Sequence, residues 1–367
     1  MRSILYVAPP DGGVGDHATS TIRELERRGF DVRHLTIARG PRAAWSGIAL
    51  AVRQRRALRR VGIVHVELGR LDEGIFWFAL VASCFRRDIF ALAHDAPTAS
   101  HAPAAALVPW RGAWADRLGY RILGPLLDGR LRRVFARRLG EGGVLSERAA
   151  KAWREDGAQH VVVVRQGADA PSRPATSPSV GTHVLFAGFI GPVKGLDMLL
   201  DVWPEAAAAS DLELIIAGGN AGPGASPYVD ELRERTRGQE RVRWMGSVEE
   251  TTLAVLFATA AIVCLPYRSS NPASAILVRA MVEGRAIVAT DVPASLDALG
   301  PADALIVPAG DAAAFAHALR CLLDDPDLRD RLGAAAGRTA FERFSWSATV
   351  ADLTAAYARL NAEFRLE

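Results

Sequence analysis

Of the 44 basic residues in this chain only two are lysines, Lys151 and Lys194, and the second sits where an ammonium would have work to do. The run from Val184 to Leu200 reads as an apolar strand, a turn bearing Gly188, Gly191 and Gly195, and the first turn of a helix. Backbone N–H groups at a helix start, with a cation in the same loop, can hold a pyrophosphate. In a chain that uses arginine almost everywhere else, a compact ammonium suggests a point-charge contact rather than a bidentate fork. The same residues also fit an ordinary strand-to-helix turn with a solvated lysine.

Further polar residues fall at the ends of apolar runs. Ser3 to Pro9 reads as a strand and opens into a glycine loop containing Gly12, Gly13 and Gly15, followed by Asp16 and His17. A dinucleotide site would place an acidic residue near the end of the next strand, Phe30 to Ile37, to hold a ribose. The chain offers Thr36 and Ala38 there, which weakens an NAD reading. Glu67 lies near the end of the strand Ile63 to Leu68, and His94 and Asp95 at the end of Ile89 to Asp95. Ligands of open α/β sheets sit at the carboxyl ends of strands, so these positions stand out. His94 fits a sugar-binding imidazole or a satisfied, partly buried one.

Elements that could position these residues follow a strand–helix rhythm. The helix carrying Ile22 and Leu25 stops at Gly29, and Gly142 to Ser146 and His160 to Arg165 read as further strands. Gly74 to Cys84 is the longest apolar run and falls short of the roughly 18 to 20 residues that span a bilayer. It reads as a core helix. Ala96 to Trp114, with Trp110, looks like a loop facing a substrate, and Ala170 to Ser179 like a linker. Beyond it come strands ending at Ala217 before Gly218, Gly219 and Asn220, at Met245 before Gly246, at Leu265 before Pro266 and Tyr267, and at Thr290 before Asp291. Short apolar strands that each lead into a helix imply parallel sheets covered on both faces. Two such doubly wound domains would place their strand ends across a cleft, the default binding site.

Half of the residues are hydrophobic, enough for a large core, and 367 residues favour two domains. Cys84, Cys264 and Cys321 are scattered and form no Cys-x-x-Cys pair, which argues against a disulfide framework or a thiolate zinc site and fits a reducing cytoplasm. The apolar start, Ile4 to Ala8, is short for a signal-peptide core. The overall charge of +3 conceals a split: residues 1–170 hold 27 basic and 17 acidic side chains, the remainder 17 and 24. Arginine clusters in the first half, such as Arg53–Arg56 and Arg132–Arg133, suit solvated helix faces, a phosphate-bearing acceptor or an anionic membrane surface.

In order, the motifs resemble those of the retaining glycosyltransferases of family 4, glycosyl transferases group 1, which have the GT-B fold. The resemblance rests on Gly12-Gly13-Val14-Gly15, His94-Asp95, Gln166-Gly167-Ala168-Asp169, Gly188 to Lys194-Gly195, Gly246-Ser247-Val248, Ala289-Thr290-Asp291 and Phe344-Ser345-Trp346, and it covers nearly the whole chain. It implies an α/β GT-B architecture, two Rossmann-like doubly wound domains facing each other across a cleft. Residues 1–170 would form the acceptor-side domain, 171–180 the linker, 181–345 the nucleotide-sugar domain, and 346–367 a helix crossing back to the first. It implies transfer of a hexose-type sugar, with retention and without a metal, from a nucleotide-diphosphate sugar to an acceptor hydroxyl.

By the same resemblance His94 and Lys194 would be catalytic. Gly12, Gly13, Gly188, Lys194, Gly219, Ser247, Val248, Asn271, Ser274, Ala275 and Ile276 would line the donor, and Asp16, His17, Glu67 and Asp95 the acceptor. No cofactor is implied beyond the donor itself, and no nucleic acid partner. The acceptor would be a small molecule or lipid-linked, with peripheral membrane contact through the basic first domain. Two departures stand out: Phe189 replaces a frequent arginine, and Asn271 and Arg279 replace the family's pair of glutamates. They keep open a catalytically silent protein or one with a non-glycosidic reaction.

Overall fold

The computed structural model describes residues 2–39, 42–69, 72–94, 114–169, 175–219, 226–269 and 274–364. The chain divides into two compact units: Met1–Gly167 with Trp346–Glu367, and Ala168–Ser345.

In the first unit the chain runs β1 (Ser3–Ala8), α1 (Gly12–Arg27), β2 (Asp31–Thr36), α2 (Ala43–Arg53), α3 (Arg55–Leu58), β3 (Ile63–Leu68) and α4 (Glu73–Ala82). It continues through β4 (Ile89–Ala93), α5 (Trp114–Arg138), β5 (Glu141–Val144), α6 (Glu147–Glu155) and β6 (Val161–Val163). The six strands form one parallel sheet in the order β2-β1-β3-β4-β5-β6. The chain reverses its direction of winding between β1 and β3, which makes the ends of these two neighbours the topological switch point.

The second unit runs β7 (His183–Ala187), α7 (Leu196–Ala206), β8 (Glu213–Ala217), α8 (Ser226–Arg235), β9 (Val242–Gly246), α9 (Glu250–Thr259) and β10 (Ala260–Leu265). After these come α10 (Ala275–Val282), β11 (Ala286–Thr290), α11 (Pro293–Ala298), β12 (Leu305–Val307), α12 (Ala312–Asp324) and α13 (Pro326–Arg343). Its sheet is also parallel, in the order β12-β11-β10-β7-β8-β9, with the switch point between β7 and β10. The last helix, α14 (Trp346–Leu360), belongs to the first unit. There Val350, Leu353, Ala356 and Tyr357 share a core with Ile4 and Tyr6, and Asp352 takes a two-point contact from Arg165.

Alternation along each central strand explains two cores per unit. Leu5 and Val7 of β1 enter one cluster while Ile4, Tyr6 and Ala8 enter another. In β7 Val184 and Phe186 face one side, Leu185 and Ala187 the other. Successive side chains point to opposite faces, so a strand covered by helices on both sides must be apolar throughout. The first strand ends at Ala8 rather than Pro9, in keeping with proline's missing N–H.

The expected linker 171–180 is in part a fixed piece of the second unit. Pro178–Val180 form a 3-10 turn with Pro178 buried. Buried Arg285 donates to the carbonyls of Thr176, Ala258, Ala260 and Glu283, and buried Arg329 to those of Pro178, Ser179, Leu322 and Leu323. A guanidinium has five N–H donors in a fixed fork, enough to gather four carbonyls and tie an irregular segment down. Proline-rich composition signals a break in regular structure but says nothing of what covers it.

Candidate functional site

At the switch point of the second unit, β7 ends and Gly188 turns the chain with φ at +106°. The loop is stitched to its neighbours: Gly188 N–H donates to Ala217 O at 3.0 Å and Ile190 N–H to Gly219 O at 2.8 Å. Gly195 then starts α7 in the left-handed region, with φ at +66°. A Cβ added there would lie 1.9 Å from Pro266 O, so no other residue fits without moving the chain.

Lys194, held between these two glycines, places Nζ 3.8 Å from the centre of the Tyr267 ring at the end of β10. Tyr267 is buried, and its carbonyl accepts from Thr290 Oγ1 at 2.6 Å. Burial pulls the Lys194 pKa down to about 8. Among the described residues no carboxylate lies within ion-pair distance of Lys194. Asp197, in the first turn of α7, is taken by Arg268 through contacts of 2.9 and 2.6 Å. Arg268 also donates its backbone N–H to Val193 O and a guanidinium N–H to Pro192 O, which braces the lysine loop.

Other expected donor residues gather here. Ile276 packs onto Gly188, its Cγ1 3.2 Å from where a Cβ would stand, and a Cβ on Gly219 would meet Ser247 Oγ at 2.3 Å. Ser274 caps α10 by accepting from Leu277 N–H at 3.3 Å, next to exposed Ala275. Val248 packs on the cluster containing Leu256 and Leu277. Asn271, like Asn220, lies outside the described residues. Arg279 is committed elsewhere: it pairs with Glu250 at 2.6 Å and lies over the Phe257 ring. Phe189, beside Gly188, is 69% exposed.

The first unit builds a second cluster at its own switch point. Glu67, wholly buried at the end of β3, accepts from Tyr6 Oη on β1, from His17 Nδ1 at 3.1 Å and from His94 Nε2 at 2.8 Å. His65 Nε2 stands 3.8 Å from the same carboxylate, its ring stacked on Tyr6 at 4.1 Å and its Nδ1 hydrogen-bonded to Tyr357 Oη. Burial alone would push the Glu67 carboxyl up, but His17 and then His94 outweigh it and hold it well below the usual carboxylate range. Burial takes His65 the other way, down to about 3, against the pull of Glu67. Burial and the Glu67 charge together raise the Tyr6 hydroxyl.

Glu67, expected to touch an acceptor, has no exposed surface and contacts imidazoles instead. His17, Glu67 and His94 offer atoms within 4.8 Å of one another, close enough to share an ion. Their N···O separations of 2.8 and 3.1 Å are those of direct hydrogen bonds, so the carboxylate already has its partners. Gly12, with φ at +73°, and Gly13 open α1, which has no side-chain cap and no acid in its first turn. Such an end leaves N–H groups for an anion. Asp16 is exposed and takes no part in the Glu67 cluster. Asp95 and residues 96–113 of the expected loop Ala96 to Trp114, Trp110 among them, lie outside the described residues, and Trp114 begins α5.

Tyr6, His65, Tyr267, Arg268 and Arg39 escape sequence reasoning. Arg39 binds buried Asp72 at 2.7 Å and lies beside Gly12. Tyr6 and His65 sit in mid-strand, where alternation reads them as core. Only the β1–β3 register, which pairs them, brings both to Glu67.

Comparison with known proteins places these two units. The family model for glycosyl transferases group 1 matches residues 181–325. Phosphatidyl-myo-inositol mannosyltransferase of Mycobacterium leprae is 33% identical over 184 residues, 49% of this chain and 47% of that one. D-inositol 3-phosphate glycosyltransferase of Kineococcus radiotolerans is 30% identical over 227 residues, 54% and 52% of the two chains. The chain thus spans about half the length of the curated relatives it matches. Anabaena HepE, solved with UDP and glucose, superposes with a TM-score of 0.71 at 15% identity over 98% of this chain and all of the other. Sucrose-phosphate synthase of Thermosynechococcus elongatus gives 0.73 at 15% over 98% and 99%. These two share the fold. The chain therefore has the GT-B fold, and its residues 181–325 are similar to the glycosyl transferases of group 1.

Proposed function

We propose that this protein is a glycosyltransferase that moves a hexose-type sugar, with retention and without a metal or cofactor, from a nucleotide-diphosphate sugar to an acceptor hydroxyl. The observation that carries the reading is Lys194: a half-buried ammonium just before α7, facing an aromatic ring and no carboxylate among the described residues. A cation so placed lacks an anion, and a donor diphosphate supplies one. In this mechanism Lys194 and the N–H groups of the loop stabilise charge growing on the leaving diphosphate, which takes the proton of the acceptor hydroxyl. Gly188, Gly219, Ser247, Val248, Ser274, Ala275 and Ile276 would shape the donor pocket, and Asn271 would also bind the donor. His94, with Gly12 and Gly13, would meet the donor sugar and phosphate, and His17, Asp16 and Asp95 the acceptor.

Relatives named for phosphatidyl-myo-inositol and inositol 3-phosphate support an acceptor carrying a phosphate or a lipid. The basic first half suits such an acceptor, and suits a protein working at the inner face of a membrane from the cytoplasm. Arg279 favours a second reading, a silent nucleotide-sugar binder, because it stands in place of one of the family's glutamates and is committed to Glu250.

The test is thermal stability against UDP, GDP, ADP and dTDP, each with and without sugar. A ligand at about 100 times its dissociation constant adds roughly 2.7 kcal/mol. A selective shift abolished by Lys194→Ala is expected, followed by turnover with the matching nucleotide sugar. No shift with any of them overturns the proposal, and a shift without turnover selects the silent binder.

A further inference from the structure

Glu67 is the one buried carboxylate to which both His17 and His94 turn, and it does so through different atoms of the two rings. His17 presents Nδ1, and His94 presents Nε2. An ionised carboxylate accepts hydrogen bonds and cannot donate them. His17 must therefore carry its proton on Nδ1, and His94 on Nε2. In a neutral ring the opposite nitrogen is left with a lone pair. For His17 that atom, Nε2, is buried and has no hydrogen-bond partner among the described residues; the side chain is only 5% exposed, and its ring centre lies 5.3 Å from that of Trp346. A buried acceptor without a partner is a vacancy in the hydrogen-bond pattern, and native proteins rarely keep one idle.

Position supports a ligand rather than a packing accident. His17 stands in the second turn of α1, directly after the glycine loop. Gly15 seats that helix so close to β1 that an added Cβ would lie 3.0 Å from Pro9 O. His94 stands at the end of β4, its ring 4.8 Å from that of His17 and edge-on to it. The two imidazoles thus follow β1 and β4, which flank β3 in the sheet, on the carboxyl side where ligands of such sheets bind. Tyr6 donates to Glu67 as well, and the Tyr6 ring is stacked on His65, so the carboxylate has little freedom to turn.

We propose that Glu67 is a positioning residue that sets opposite tautomers in His17 and His94, making His17 Nε2 an acceptor for a ligand hydroxyl and not a site for an anion. The inference rests on the glycosyltransferase reading only for its ligand, a hydroxyl-bearing acceptor. The tautomers can be read without one. A free neutral imidazole offers two tautomers, and the hydrogen bond made by one nitrogen decides what the other can do. Glu67→Gln keeps the side chain's size, yet an amide can accept at only one of its two ends. One of the two rings must then lose its enforced tautomer.

The test is nitrogen-15 NMR of the histidine side chains in the full chain, without ligand, for the wild type and Glu67→Gln. His17→Gln and His94→Gln provide the assignments. Expected in the wild type is His17 protonated on Nδ1 alone and His94 on Nε2 alone, with at least one changed or mixed in Glu67→Gln. Addition of inorganic phosphate should leave both wild-type spectra unmoved. His17 protonated on Nε2, His17 as an imidazolium with or without phosphate, or two unchanged rings in Glu67→Gln would each overturn the proposal. Should Glu67→Gln not fold, the wild-type spectra still decide. A purely structural Glu67 would lower stability in the variant and leave the tautomers alone. Nucleotide-induced thermal shifts of the same samples report the donor site separately, so either reading can fail without the other.

Discussion

Lys194 Nζ lies 3.8 Å from the centre of the Tyr267 ring, and that ring stands where a carboxylate would otherwise neutralise it. The pair joins the ends of β7 and β10, the two strands between which the second sheet reverses. A ring face attracts an ammonium by roughly 0.5 to 2 kcal/mol, which holds the cation in place without satisfying its charge.

Nucleotide binding should therefore depend on pH through Lys194. Its folded pKa of about 8 lies below the roughly 10.4 of a free lysine. Between these values the unfolded chain binds more protons than the folded one, so this group's contribution to stability rises with pH across that window. A bound diphosphate reverses the preference by favouring the ammonium. Calorimetric affinity for the selected nucleotide should then fall, approaching about tenfold per pH unit above pH 8. In Lys194→Met the affinity should be weaker at pH 7 and nearly flat with pH. Lys194→Arg should not restore it, because a planar fork does not fit where a compact ammonium sits.

Gly195 and Gly238 offer a controlled comparison. Both have positive φ, at +66° and +81°, but a Cβ on Gly195 would strike Pro266 O whereas nothing lies within 4 Å of one on Gly238. Gly238→Ala should cost about 1 kcal/mol, the penalty for a side chain in the left-handed region. Gly195→Ala should cost clearly more, or displace the lysine loop and abolish nucleotide binding. Denaturant melts of the two variants measure the difference.

Acid should weaken the first unit well before its surface carboxylates titrate. His65 has a folded pKa of about 3 because burial disfavours its charge. An unfolded histidine titrates near 6.5, so the unfolded chain binds more protons throughout the interval between them. Stability contributed by neutral His65 is full above about pH 6.5 and is lost as pH falls toward 3. Substituting His65→Phe should flatten the fall in melting temperature between pH 6.5 and 4, even if it lowers the plateau by removing the Tyr357 contact.

Arg285→Met should destabilise the second unit by roughly 3 kcal/mol or more. Four carbonyls lose a charged donor, and a buried acceptor left unpaired costs about 1 to 3 kcal/mol. Proteolysis near Thr176 should accelerate in the same variant, since that carbonyl is one of the four.

Much of the architecture was legible because burial on both faces writes itself into strands such as β7 and β10 as unbroken apolar runs. The loop around Lys194 was legible because glycine marks turns and a rare lysine marks a charge. Family resemblance supplied the order of the rest. The short β12, Leu305–Val307, passed unnoticed because three residues carry no periodicity. The Glu67 cluster was legible only in part. His17, Glu67 and His94 stood out at strand ends, but Tyr6 and His65 look like core residues, and Tyr357 reaches them from 292 positions away in the chain. Networks closed by sheet register and a returning helix leave no local signal.

A chain with two lysines also has a chemical handle. Acylating reagents attack the neutral amine, and at pH 8 about half of Lys194 is neutral, against well under about 1% of an ordinary lysine. Lys151, the other lysine, is exposed on α6 of the first unit. A brief exposure to an amine-selective reagent should therefore mark Lys194 ahead of an ordinary lysine side chain, and that mark becomes a gauge of occupancy: whatever fills its surroundings with negative charge silences the amine.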